Sequence, residues 1–400
     1  MLALSVLEEV EELIRGVEEK VRQLASPLPQ EGLSSVGFVD GSYALEERRG
    51  AYLLALSVSS VAYRDGRVER ILPGSSRPLL WLLVPKSHGE SRAGQLMTML
   101  ELLAAMDLVR RGLDAVALDG SFTSEMMVPF GHARDVHEEA ARLVSLRAEV
   151  IEEAGEKVSS FAAEAASRRD VLSAARTLLG GLLEVASKLY RELAGSAPDL
   201  RGRKEALDYA VVFAETTAYL ALLEALLEAA RSSSTALVWV AKDAESRYIV
   251  EREGLLGWLN DLSLLDYAWR AGERVYTLLE GVSFGRPKPC AAWSQLVSKL
   301  FREWGEYGVC YFKLARSGPV MQATFPSFVS GSAVAKLAST LAALSDQHGY
   351  PRPLSYAHHT AVLNPELAQV LADEMYRRSS NPLMRSVLAP SGRALAGLRR

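Results

Sequence analysis

Apolar residues recur along the first quarter of the chain in two different rhythms. Leu7, Val10, Ile14, Val17, Val21 and Leu24 fall at alternating spacings of three and four, with mostly Glu, Arg and Lys between them. That pattern is the seam of an amphipathic helix with heptad character, ended before Pro27. Such a seam packs either on its own domain or on a partner. From Val36 the rhythm changes. Val36-Gly37-Phe38-Val39 runs into Asp40-Gly41-Ser42. Ala51–Tyr63, Arg67–Leu72 and Leu79–Val84 then follow as short apolar stretches punctuated by Asp65-Gly66 and Pro73-Gly74. They read as strands of an antiparallel meander. From Glu90 to Arg111 the period becomes helical and stops at Gly112, where a C-cap glycine belongs. Leu113–Leu118 is a further strand, entering Asp119-Gly120-Ser121.

The next stretch has no proline between Pro129 and Pro198 and is rich in Ala, Glu, Leu and Arg, which predicts a long helical region. Gly180-Gly181 marks a break in it, and Ser232-Ser233-Ser234 marks its end. Ala236–Ala241 is a buried strand entering Lys242-Asp243. A helix near Leu259–Arg270, strands near Val309–Leu314 and Val320–Phe325, and a helix from Ser332 to Leu344 follow. The alternation predicts an α/β protein: a mixed sheet with flanking helices, interrupted by a helical insertion. Its parts are the heptad helix (1–27), the first half of the core (34–128), the insertion (129–234), the second half of the core (235–378) and a frayed Ser/Arg-rich tail (379–400).

Both Asp-Gly-Ser tripeptides follow apolar runs, which places each aspartate at the carboxyl end of a buried strand, where ligand sites of open α/β sheets gather. Alone, Asp-Gly is ordinary turn chemistry. Two carboxylates on neighbouring strands repel one another, and a divalent cation resolves that repulsion while activating water for hydrolysis. The helix between them offers a third acid. Glu101 shares a stripe with Met97, Ala104 and Leu108, and Asp107 lies near Leu96, Leu100 and Leu103, so either suits the role. Lys242 also follows a buried strand directly, where a cation can contact a phosphate or temper the carboxylates. Asp243 and Glu245 read as acids of a helix N-terminus.

An Asp on the first strand of the meander, a Glu on the helix after it and an Asp on the next strand resembles the acidic arrangement of ribonuclease H-like nucleases. Within that group the chain resembles the NurA family. The matching pieces are Phe38-Val39-Asp40-Gly41-Ser42, the helix carrying Glu101, Leu118-Asp119-Gly120-Ser121, Val240-Ala241-Lys242-Asp243, and Tyr350-Pro351-Arg352-Pro353-Leu354 with Ala357-His358. The resemblance implies a ribonuclease H-like mixed sheet and Asp40, Glu101, Asp119 and His358 as a manganese-binding set, with magnesium as the alternative. Tyr350 stands eight residues before His358, as the family's tyrosine stands before its histidine. That histidine is single in the family, whereas His359 follows His358 here. The resemblance further implies 5′→3′ exonuclease and single-strand endonuclease activity, a toroidal homodimer, and docking on a HerA-type hexameric ATPase in DNA end resection. An imidazole suits a carboxylate-rich manganese site and can also give a proton to a leaving 3′-oxygen.

Charge and composition qualify this picture. The net charge is −4, so any DNA surface is a local channel rather than the whole body. Candidate stacking and phosphate contacts along such a channel are Arg247 with Tyr248, Arg270 with Trp269, Lys288, and Arg302 with Trp304. The two cysteines, Cys290 and Cys310, form no CxxC pair, which argues against structural zinc and a disulfide framework and fits a cytoplasmic protein. Neither a signal peptide nor a run of about 18 uncharged apolar residues is recognisable. Two other functions compete. An actin-like ATPase also uses Asp-Gly turns at strand ends, but its Gly-rich second phosphate loop has no counterpart here. A non-catalytic scaffold that loads DNA onto a motor would not need four ligands.

Overall fold

The computed structural model describes residues 2–255, 259–269, 274–285 and 293–392, and among these ten strands form one mixed sheet. In chain order they are β1 (Ser26–Pro27), β2 (Ser35–Glu47), β3 (Tyr52–Arg64), β4 (Arg67–Pro73), β5 (Leu79–Leu83), β6 (Ala115–Asp119), β7 (Ala236–Ala241), β8 (Val275–Ser283), β9 (Glu306–Lys313) and β10 (Val320–Pro326). Across the sheet the order is β1-β8-β9-β10-β7-β6-β2-β3-β4. β5 also pairs with β3; since β2 lines β3 end to end, β4 and β5 share its other edge. Only β2, β6 and β7 run parallel to one another. β6 and β7 are apolar almost throughout, as strands covered on both faces must be. Three antiparallel strands followed by two parallel ones is the ribonuclease H-like arrangement expected from the sequence.

Helices cover both faces. On one, α2 (Gly89–Arg110) lies against β2, and α4 (His132–Ser145), α5 (Ala148–Ser167), α6 (Val171–Ala194) and α7 (Leu200–Ser233) stack behind it. These four fill the connection from β6 to β7, after the short α3 (Phe122–Met127). One apolar cluster runs without a gap from Val39 and Leu118 through Leu100 to Leu178 and Leu223, so the inserted helices share the core of the sheet. Gly180-Gly181 does not break α6; a side chain at 181 would meet the Phe161 ring at 2.7 Å, so the glycine is a contact between α5 and α6. α7 is long and apolar enough to cross a membrane, with a mean hydropathy of 1.6 over 18 residues, but 78% of that stretch is buried by its neighbours. A helix that is apolar all round belongs in a core. Arg92 on α2 and Glu215 on α7 join the two helices by a buried two-pronged ion pair, 2.8 Å on each prong.

The other face carries α11 (Gly331–Leu344), α12 (Arg352–Ala361) and α13 (Pro365–Arg378), with Phe38, Ala117, Val240 and Leu354 in a second apolar cluster. α1 (Leu2–Arg22) seats Ile14 and Val21 in the core beside α9 (Asp261–Ala268), so part of its seam is used within the chain. The side chains of Leu7 and Val10 lie outside the described residues. The short α8 (Tyr248–Arg252) has Arg247 at its N-cap, past Asp243 and Glu245; the acid that meets its first N–H groups is Asp261, at 3.0 and 2.9 Å. α10 (Ser294–Trp304) precedes β9. Residues after Ser379 are not a frayed tail as far as they are described. α14 (Pro382–Leu388) forms, and Val387 and Ala389 accept backbone hydrogen bonds from Gly50 and Arg49.

Candidate metal centre

Side-chain alternation decides what the sheet presents. In β2, Val36, Phe38 and Asp40 face α12, while Val39 and Gly41 face α2. In β6, Ala115, Ala117 and Asp119 face the α12 side. Val39 pairs with Leu118, so Asp40 and Asp119 follow as neighbours on the same face. The two Asp-Gly-Ser repeats nevertheless do different work. Asp119 ends β6: Gly120 turns with φ +108° and its N–H reaches the Val240 carbonyl at 3.2 Å. Asp40 does not end a strand, because β2 continues to Glu47 against β3. What ends there is the parallel pairing with β6.

Gly41 is needed for a close approach rather than for a turn. A side chain there would stand 2.8 Å from Glu101 Oε1 and 3.0 Å from Met97 Cγ. Glu101 therefore lies directly over the glycine on the α2 face, and the Gly41 N–H donates to its carboxylate. Asp107 is instead held by Arg111 at 2.8 Å, near the end of α2. Gly41→Ala should leave the fold intact and displace the Glu101 carboxylate. Roughly 10²-fold of activity should go with it; unchanged turnover in a well-folded variant would remove Glu101 from the site.

α12 supplies the distant histidine. His358 Nδ1 and Asp40 Oδ2 are 2.9 Å apart, across 318 residues of sequence. His359 is exposed, its ring 5.6 Å from that of His358, so the imidazole at the carboxylates is His358. Asp40, Asp119 and His358 each offer a ligand atom, and these lie within 4.8 Å of one another. Lys242 stands at the rim, 3.7 Å from Asp119 Oδ2 and 5.1 Å above the Tyr350 ring. The enclosed Tyr350 hydroxyl makes no hydrogen bond of normal geometry.

The electrostatics call for a cation. Burial and the neighbouring Asp119 push Asp40 up to about 6, against the pull of His358 and Lys242. Glu101 is raised well above the carboxylate range by burial, then by Glu125 and Asp40, with the Gly41 N–H opposing. Burial likewise lifts Glu125 to about 7, while the Tyr219 hydroxyl holds it down. Burial alone would lower the Lys242 ammonium, but Tyr350 and Asp119 more than offset it. Three carboxyls in this corner of the sheet are thus reluctant to ionise unless positive charge arrives. Two carboxylates and an imidazole are a donor set that suits manganese.

Glu125 was not singled out from the sequence. Its signal was available, since in Phe122-Thr-Ser-Glu125-Met126 it sits on an apolar helix face, the same argument that picked out Glu101. Among the described residues, the rings offered for stacking on DNA are committed within the protein. Trp269 and Trp304 are 2% exposed, with Arg231 rather than Arg302 over the Trp304 ring, and Tyr248 is tied to Tyr307 at 2.7 Å. Arg270 and Lys288 lie outside the described residues.

The raised Asp40 predicts a pH signature. The folded state holds this proton more tightly than the unfolded chain, whose ordinary value is 3.8. In EDTA the Asp40 contribution to stability should therefore fall as pH rises from about 4 to about 6, while cation binding strengthens over the same window. Thermal melts of wild type and Asp40→Asn across that range check it: the difference between the two should grow with pH, and a constant difference would contradict the raised value.

Comparison with known proteins agrees with this fold. The sequence profile of the NurA domain matches residues 34–363. The crystal structure of the NurA nuclease from Sulfolobus solfataricus superposes with a TM-score of 0.60 at 16% identity, covering 95% of this chain and 96% of that one. NurA bound to dAMP and manganese superposes with a TM-score of 0.66 at 17% identity, covering 96% and 97%. NurA with manganese gives 0.61 at 17% identity, covering 94% and 98%. No curated protein sequence matches significantly. With a family profile spanning most of its length, on a fold that its members share, this chain belongs to the NurA family.

Proposed function

We propose that the protein is a manganese-dependent deoxyribonuclease that hydrolyses DNA phosphodiesters at the Asp40–Asp119–His358 centre. The single observation that carries this reading is the convergence of those three ligand atoms within 4.8 Å on a sheet corner short of positive charge. A bound manganese ion supplies Lewis-acid activation of the phosphodiester and of the attacking water. Asp40 and Asp119 would hold the ion from adjacent strands. Glu101, over Gly41 on the far side of the sheet, is not one of the three converging ligands; it would add its negative charge to the centre from beneath Asp40. His358 is the remaining ligand or the donor of a proton to the leaving 3′-oxygen. Lys242, steadied by Tyr350 and Asp119, places a positive charge where a phosphate oxygen would lie.

The finer activities implied by the family resemblance form part of the same reading. They are 5′→3′ exonuclease and single-strand endonuclease action, a homodimer, and work with a HerA-type hexameric ATPase in DNA end resection within the cytoplasm. Single-stranded DNA labelled at either end, incubated with Mn²⁺ or with EDTA, tests the core of it. Products should form only with the metal, and the two labels together report polarity and internal cuts. ATP hydrolysis without DNA cleavage would favour the nucleotide-binding alternative instead.

A further inference from the structure

A group of polar side chains close to this centre has no partner. β3 carries Ser57, Ser59 and Ser60, each at most 1% exposed and each with a hydroxyl that meets no hydrogen-bonding atom. A buried, unsatisfied hydroxyl costs about 1–3 kcal/mol. Both faces of β3 are covered, and alanine or valine would serve packing better there. The three are not equivalent in direction. Ser57 and Ser59 face α12 with Val61, whereas Ser60 faces α2 with Val58 and Ala62.

Ser59 is the register partner of Asp40. Directly opposed residues on one face bring their Cβ atoms to about 4.5–5.5 Å. The neighbouring Ser57 opposes Ser42, whose hydroxyl already accepts the Leu363 N–H. Asp40 uses Oδ2 toward His358, and no described residue donates to Oδ1. An uncommitted donor thus lies beside a carboxylate with a free acceptor.

We propose that Ser59 is a positioning residue for the cation site, its hydroxyl held for the Asp40 carboxylate oxygen that does not ligate the ion. This rests on the metal-centre reading above. With Asp40 on the ion, a hydrogen bond from Ser59 to its other oxygen would fix the carboxylate plane, the task that outer partners of metal ligands perform.

Calorimetric titration of Mn²⁺ into wild type, Ser59→Ala, Ser59→Thr and Ser60→Ala, with melts of each in EDTA, tests it. Ser59→Ala should bind Mn²⁺ about ten-fold more weakly, yet melt no lower than wild type, because an unsatisfied hydroxyl has been removed. Ser59→Thr, which keeps the hydroxyl, should retain affinity. Ser60→Ala removes an equally buried and equally unpartnered hydroxyl from the opposite face and should leave affinity unchanged. The proposal is overturned if Ser59→Ala binds as wild type does, or if Ser60→Ala weakens binding as much. Wild type that binds no Mn²⁺ overturns the metal-centre reading itself, a separate and visible outcome.

Discussion

Asp40→Asn should lower Mn²⁺-dependent DNA cleavage by roughly 10³-fold or more while making the metal-free protein more stable. The loss follows from the place of the residue: Asp40 touches His358, neighbours Asp119 and lies beneath α12, so no other carboxylate can take over its oxygens. Groups that act as a unit in catalysis show losses of this order when one member is removed. The gain in stability follows from the same crowding. At neutral pH the folded chain forces ionisation on a group raised to about 6, and the isosteric amide relieves that cost, on the order of 3 kcal/mol. Cleavage of a fluorescent oligonucleotide and urea unfolding in EDTA measure the two effects. A variant that both cuts and melts like wild type would show that Asp40 is neither a ligand nor strained.

The second large effect lies away from the chemistry. Arg92→Ala should cost about 3–5 kcal/mol of stability, because it strands Glu215, whose side chain is 6% exposed, in the apolar seam between α2 and α7. Arg92 also donates to the Pro85 carbonyl, so a further acceptor loses its partner. Replacing both members of the pair, as in Arg92→Met with Glu215→Leu, should recover most of the loss, since desolvating two charges nearly cancels their attraction. Urea midpoints of the two single variants and the double variant decide this. A double variant as unstable as Arg92→Ala would mean that the pair stabilises the fold by more than burial of its own charges.

How much of this was legible in the sequence depended on whether the information was local. The apolar runs into Asp40 and Asp119, the helix carrying Glu101 and the strand before Lys242 could be placed from periodicity alone, and the order of elements implied the sheet. Asp-Gly favours turns locally, so the sequence around Asp40 predicts a strand end that the structure does not have. The strand is carried through it by β3, which pairs with β2 as far as Glu47, and no window around residue 40 contains that pairing. β8 escaped notice because its residues alternate poorly and a register shift interrupts it between Leu279 and Val282. Gly180-Gly181 looked like a break until Phe161, from another helix, explained the missing side chain. The tryptophans expected beside DNA are core residues, since aromatic-basic adjacency along the chain says nothing about which way a side chain points. The contact of His358 with Asp40 was reachable only through family resemblance.

That contact has a consequence for the life of the polypeptide. A nascent chain released from the ribosome only as far as α11 already carries both aspartates but no imidazole for Asp40, because α12 has yet to be translated. Domains acquire structure from the N-terminal side during synthesis, so the Asp40–Asp119–His358 cluster is among the last features the polypeptide completes. Premature termination anywhere before residue 358 would leave Asp40 without its imidazole, so on the metal-centre reading a shortened chain would carry an incomplete site.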